Sequence, residues 1–146
     1  VISPQPGLVF RGYHGEWTEL PDFAALAPVE EGVATEIGLG VTQRREALGL
    51  VFSGYFLAPQ DGVYLFHCRS NDGSKLYLDG EEFINNDGLH KTTVKSAIAT
   101  LKKGYHPIRV TYFESGGQED LDVFVEGPGI MKCPVPARML WHVASR

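Results

Sequence analysis

From Asp61 to Ile84 the chain reads DGVYLFHCRSNDGSKLYLDGEEFI, a run that a helix cannot use. Tyr64, Phe66 and Cys68 alternate with Leu65, His67 and Arg69. A two-residue period of aromatic and branched side chains marks a strand buried on one face. The polar connection Ser70-Asn71-Asp72-Gly73 leads to a second strand, Lys75 to Leu78. Asp79-Gly80 then supplies the two positive φ angles of a type I′ hairpin turn, and Glu82 to Ile84 completes an antiparallel meander. Its first corner, polar and tight, is the place to look for working groups.

The same grammar continues on both sides. Gly7 to Tyr13, Leu48 to Leu57, Val94 to Leu101, Tyr105 to Glu114 and Leu121 to Glu126 read as strands, Ala34 to Val41 as a weaker one. The tail from Val135 to Val143 carries Met139, Leu140 and Trp141 and is expected to pair back as the last strand. A single helical turn is predicted near Pro21 to Leu26, stopped by Pro28. Roughly eight or nine strands with turn signals about every 8–12 residues predict an all-β chain, an antiparallel sandwich or barrel. Residues 1–6, with Pro4 and Pro6, read as a linker, 7–143 as one domain and 144–146 as a tail. A net charge of −5 without a basic, aromatic-studded patch argues against nucleic acid. No apolar run reaches the roughly 18 residues of a membrane span, and a monomer is the expected state. Cys68 falls on the inward face of its strand and Cys133 in KCPVPAR; their spacing matches no zinc motif and leaves a disulfide open.

FSGYFLAPQDGVYLFHCRSNDGSKLYLDG, LKKGYHPIRVTYFE and VEGPG, in that order, resemble successive blocks of the protective-antigen PA-fourteen domain, a lectin-like β-sandwich of jelly-roll type. The resemblance runs from about Gly7 to about Trp141. GLVFRGYHGEWTELPDFAAL and NNDGLH look most like versions appended to bacterial hexosaminidase-type and other glycoside hydrolases. What the resemblance implies is an extracellular, periplasmic or cell-surface module of larger glycan-active enzymes, adhesins and toxins. In the flocculin adhesins, two consecutive Asp joined by a cis peptide hold a calcium ion and the sugar hydroxyls, and a later loop adds an Asn and carbonyls. Asn71-Asp72 stands at the first place here, and a stretch from Glu114 through Gln118 at the second.

Asn71, Asp72 and Glu114, with carbonyls of Ser115 to Gln118, make an oxygen-only set of the kind calcium takes. Asn, Asp and Gly are equally the residues a tight connection needs for backbone reasons. The second polar cluster, Asn85 to His90, reads either as a glycan contact through Asp87 and His90 or as a loop capping itself by Asx turns. Trp17, Tyr55 and Tyr77 are the candidate aromatic faces for a sugar, although Trp17, beside the short helical turn, reads first as a packed side chain. His67 and His106 read as solvated or satisfied in place. For catalysis, no pattern marks Asp72, Asp87 or Glu114 as a raised acid beside a partner, and Ser74 and Ser115 lie in no nucleophile elbow. The expected function is a non-catalytic carbohydrate-binding or accessory module of a larger secreted glycan-degrading enzyme. It needs no cofactor beyond a candidate calcium, and its partners are a glycan or the catalytic domain of the same polypeptide. A structural spacer that packs on a catalytic neighbour, or mediates adhesion without binding sugar, is the alternative; an independent enzyme is the third.

Overall fold

The computed structural model describes residues 3–144. Within them the chain forms β1 (Pro4–Pro6), β2 (Leu8–His14), β3 (Glu30–Ala34), β4 (Leu48–Ala58), β5 (Gly62–Asn71), β6 (Ser74–Leu78), β7 (Glu81–Asn86), β8 (Thr93–Leu101), β9 (Gly104–Glu114), β10 (Asp120–Gly127), β11 (Ile130–Pro134) and β12 (Leu140–Val143). Helical geometry is confined to three 3₁₀ turns, at Phe23–Ala25, Leu39–Val41 and Ala137–Met139. Two antiparallel sheets stack as a sandwich, as the strand pattern and the resemblance predict. The larger runs β1-β12-β4-β9-β6-β7, with β2 beside β4 and β3 beside β2; the smaller runs β11-β10-β5-β8.

Alternation in the sequence becomes inside and outside in the fold. Tyr64, Phe66 and Cys68 are fully buried, Phe66 opposite Val125 and Cys68 opposite Val123 in the neighbouring strand's inner row. Phe52, Phe56, Leu76, Val110 and Tyr112 supply the opposing layer. Phe56 meets Phe66 edge-on at 5.2 Å and Tyr64 at 5.8 Å, which knits the two layers at their centre. Asp79 and Gly80 both take positive φ, 54° and 82°, so the β6–β7 hairpin closes as its sequence requires.

Three segments differ from the sequence reading. The strand expected over Ala34–Val41 lies just before it, at β3, and residues 39–41 form a 3₁₀ turn instead. Its sequence, EEGVA, hides the strand because its partner is local: Glu31 sits opposite Arg11 and pairs with it at 3.1 Å. Pro4–Pro6, read as linker, is an edge strand paired with β12, where a missing N–H faces outward at no cost. Residues 130–134, for which no strand was expected, form β11 against β10, with Cys133 opposite Val125. Both cysteines are free thiols, and burial pushes that of Cys68 up to about 11. β8 shows the fold overriding hydrophobicity. It turns Ala97, Ala99 and Leu101 toward the core and leaves Ile98 65% exposed.

The two faces separate in a denaturation experiment. Phe66→Ala is expected to cost about 3–5 kcal/mol, whereas Ile98→Ala is expected to stay within about 0.5 kcal/mol. Equal losses in urea unfolding would contradict this assignment of inner and outer rows.

Candidate functional site

The site is built by where strands end. β5 finishes at Asn71, which lies opposite Asp120 at the start of β10. β9 finishes at Glu114, opposite Leu48. Both ends emerge at one pole of the sandwich, so the corner after Ser70 and the corner after Phe113 meet. The contact is direct: the Ser115 amide donates to Asp72 Oδ2 at 3.0 Å, and the Tyr112 hydroxyl donates to the Asn71 carbonyl at 2.6 Å. The Asn71–Asp72 peptide is cis.

The polar groups singled out in the sequence have different occupations. The amide nitrogen of Asn71 suits the Gln118 and His90 carbonyls, at 3.1 and 3.2 Å, and its oxygen suits the Thr92 amide at 3.2 Å. Asn71 thus brackets three loops together. Asp72 is 7% exposed and Glu114 fully buried. Glu114 Oε1 accepts from the Gly116 amide, but Oε2 is buried with no hydrogen-bond partner. Burial, reinforced by the charges of Asp72 and Glu119, raises the Glu114 carboxyl to about 7 against the opposing pull of the Gly116 amide.

The second cluster closes over the first. Asp87 Oδ1 accepts from the Leu20 amide at 2.8 Å and the Gly88 amide at 2.7 Å, while Asn85 Oδ1 takes the Asp87 amide at 3.0 Å. Both ring nitrogens of His90 lie 2.7 Å from carbonyls, those of Lys91 and Asn86, so the imidazole holds its loop. Gly73 makes the junction possible: a Cβ there would fall 2.8 Å from Asp87 Oδ1 and 2.7 Å from the Gly88 nitrogen.

Sequence reasoning missed what joins these clusters. The Leu20 amide anchors residues 16–22 to Asp87, and this segment and Ser115 enclose a cleft of about 650 Å³. One wall residue is thus bonded to Asp72 and the other to Asp87. Thr92, also missed, bridges to Asp120 Oδ2 at 2.7 Å. No spacing rule links a backbone amide at 20 with a carboxylate at 87, so nothing in the sequence pointed to either. Trp17 lines the cleft, packed edge-on to Phe23 at 6.0 Å. Tyr55 and Tyr77 lie elsewhere. Tyr55 is seven residues along β4 from Leu48, roughly 24 Å, in an edge-to-face row with Tyr105 and Trp141. Tyr77 lies under the Arg109 guanidinium at 5.4 Å. His67 is satisfied between Ser96 Oγ and Glu126 Oε2, each at 2.6 Å, and His106 contacts Asp79 and the Lys102 carbonyl.

As a cation site, the corner offers oxygen donors alone. Among the described residues, no group of three His, Cys, Asp or Glu side chains is placed to hold a metal, so a full shell needs carbonyls and water. The orphaned Oε2 of Glu114, beside a second carboxylate, is the feature that fits a hard cation.

Comparison with known proteins agrees with this architecture. The PA14 domain family model matches residues 38–138. A β-hexosaminidase of Porphyromonas gingivalis (strain ATCC BAA-308 / W83) is 32% identical over 124 residues, covering 77% of this chain and 15% of that protein. The chain thus spans about a seventh of the curated relative's length. An anti-sigma factor domain-containing protein superposes with a TM-score of 0.84 at 17% identity, over 97% of this chain and 49% of that one. A PA14 sugar-binding domain from an RTX adhesin superposes at 0.79 with 16% identity, over 94% and 98%. At these identities the structures speak for the fold.

The buried carboxyl predicts a pH response. Between about 4.5 and about 7, folded Glu114 keeps a proton that the unfolded chain has released. Stability therefore falls as pH rises through that window, and the penalty is complete above it, on the order of 2–3 kcal/mol. Urea unfolding of wild type and Glu114→Gln across pH 4–8 checks this: the difference is expected to open in favour of the variant as pH rises. Parallel profiles would contradict it.

Proposed function

The chain belongs to the PA14 domain family, and from that premise we propose that it is a non-catalytic carbohydrate-binding module of a larger secreted glycan-degrading protein. The observation that carries the reading is the meeting of Asp72 with the Glu114–Ser115 corner, beside a cleft whose far wall is tied to Asp87. A sugar presents adjacent hydroxyls. Fixed carboxylate oxygens accept from them, and an indole covers the ring's C–H face. In this reading Asp72 and Asp87, bonded to the Ser115 and Leu20 amides of the cleft wall, are the acceptors. Trp17 is the ring within reach. Asn71 and His90 act from behind, holding the 87–92 and 114–118 loops in place through the bonds described above.

Asp72 and Glu114, with carbonyls of residues 115–118, are the groups that would hold a calcium ion. Such an ion supplies positive charge against which sugar hydroxyls are oriented. Burial is the main cause of the raised Glu114 carboxyl and the charge of Asp72 adds to it; a cation at this corner would offset both. The larger parent is supported by the small share of the β-hexosaminidase that the chain matches, and an extracellular location by the adhesin sugar-binding domain that shares its fold.

A second reading rests on a separate observation. Tyr55, Tyr105 and Trp141 form a row across β4, β9 and β12, with Tyr105 46% exposed. A spacer that packs on a catalytic neighbour would use such a face and leave the polar corner idle.

Calorimetric titration of mono- and oligosaccharides, with and without calcium, separates the two. Saturable binding that Asp72→Ala abolishes is expected, together with a calcium-dependent rise in stability. For a weak extracellular-type site with Kd on the order of 10⁻⁴–10⁻³ M, about 10 mM calcium adds about 1.4–2.7 kcal/mol. Silence toward every sugar, with Asp72→Ala lowering only the melting temperature, would favour the spacer.

A further inference from the structure

Among the described residues, the edges of the two sheets are blunted except at β8. β1 holds Pro4 and Pro6 within its three residues, and β3 opens on Glu30-Glu31. β7 opens on Glu81-Glu82 and shifts register against β6. β11 shifts register against β10 and ends at Pro134. Short length, proline, charge and bulges keep an open edge from pairing with another chain. β8 ends the smaller sheet, yet its nine residues, TVKSAIATL, hold neither Pro nor Gly. Its ladder to β5 runs without a shift from Leu101 opposite Gly62 to Thr93 opposite Ser70. The Asn86 side-chain amide donates to the Thr93 carbonyl at 2.9 Å. Beyond that point no backbone of the described residues pairs with the side of β8 away from β5. Val94 and Ile98, which have a strand neighbour on one side only, are 48% and 65% exposed.

Charge decides what such an edge takes. From Gly88 to Phe113 the sequence has no Asp or Glu, although the net charge of the chain is −5. Lys91, Lys95, Lys102 and Lys103 are exposed, within β8 or just beyond its ends. None of them forms an ion pair among the described residues. A second copy pairing on this edge would set two rows of lysines on one seam, the repulsion by which edge lysines bar self-association. An acidic strand meets the same lysines with opposite charge. We propose that β8 accepts an extended, acidic polypeptide segment as a further strand of the smaller sheet. Main-chain bonds along Val94 to Thr100 hold it, its β-branched residues cover Val94 and Ile98, and its carboxylates face the lysines. This surface is independent of the sugar reading of the pole.

The probe is a blocked peptide of alternating Val and Thr with paired glutamates at each end, set against the same peptide with lysines at its ends. By calorimetry at about 20 mM salt the glutamate peptide is expected to bind at least about tenfold tighter, with most of the preference gone at about 300 mM. It is expected to slow amide hydrogen exchange in residues 93–101 and to leave β11, at the opposite edge of the same sheet, unchanged. The Lys91→Glu, Lys95→Glu double variant, checked by thermal melting for an intact fold, is expected to reverse the preference. Two further glutamate peptides are N-methylated on one or the other alternate set of residues. One is expected to bind and the other not, because only one set turns its N–H groups toward β8. Equal binding of the glutamate and lysine peptides, or no slowing of exchange in β8, overturns the proposal. Equal binding of the two methylated peptides overturns main-chain pairing. Sedimentation that shows the chain dimerising, with β8 amides protected in the dimer, overturns the acidic strand as occupant in favour of a second copy. Failure of every peptide to bind sinks the proposal and leaves the sugar reading untouched.

Discussion

The ladder between β4 and β9 is the constraint on which the site depends. It runs unbroken from Ala58 opposite Gly104 to Leu48 opposite Glu114. Each residue of that register is fixed by side chains that must face the core: Phe52, Phe56, Val110 and Tyr112 are all fully buried. A slip of one residue would turn this whole row outward. Glu114 is therefore held at the pole by hydrophobic packing far from it. The same logic on the smaller sheet, with Asn71 opposite Asp120, fixes the other half. Two carboxylates meet because the inner rows of both sheets, packed into one core, require it.

Such a meeting works against folding. A fully buried carboxyl with one orphaned oxygen, next to Asp72 and Glu119, is left without compensating charge. The local backbone answers only in part, through the Gly116 and Ser115 amides. Structures keep such unpaired groups where something outside the chain completes them, and they are accordingly enriched at working sites. The polar network deeper in, where Ser70, Ser74 and Asn86 bond to one another and to the Cys68 and Thr93 carbonyls, is by contrast internally satisfied except at one Asn86 oxygen. The two neighbours differ in charge: the orphaned atom at the pole belongs to a carboxyl beside two other acids, the one deeper in to a neutral amide.

The fold was legible in the sequence wherever a strand alternates and its turn is chemically marked. Tyr64 to Cys68 and the Asp79-Gly80 turn are the clear cases. β3 was not legible, because EEGVA is stabilised by its pairing with β2 rather than by an apolar face, and an exposed ion pair leaves no periodic trace. β1 was hidden by two prolines that are tolerated only because the strand is an edge. At the site, the corner after Ser70 was marked in advance by its own turn residues, whereas Glu114 was named through the family resemblance. The Leu20–Asp87 bond could not. It joins a backbone amide to a side chain across the fold, and no side-chain pattern encodes a backbone donor. Trp17 was visible as an aromatic, but its place beside the acidic pole follows from that bond together with its packing on Phe23.

Glycoside hydrolysis asks two carboxylates to stand about 5–9.5 Å apart with the sugar between them, one protonated and both open to it. At this pole the available acids divide differently. Glu114 has the raised carboxyl, but it is fully buried and faces its own loop. Asp72 receives the Ser115 amide, and Asp87 receives two amides. The acid with the raised carboxyl has no access, Asp72 is itself buried, and Asp87 is engaged in shaping its loop. The same set of groups, read as fixed acceptors around a cleft, needs no proton to move and tolerates every one of these bonds. Holding a ligand is the task that this distribution of charge and burial suits.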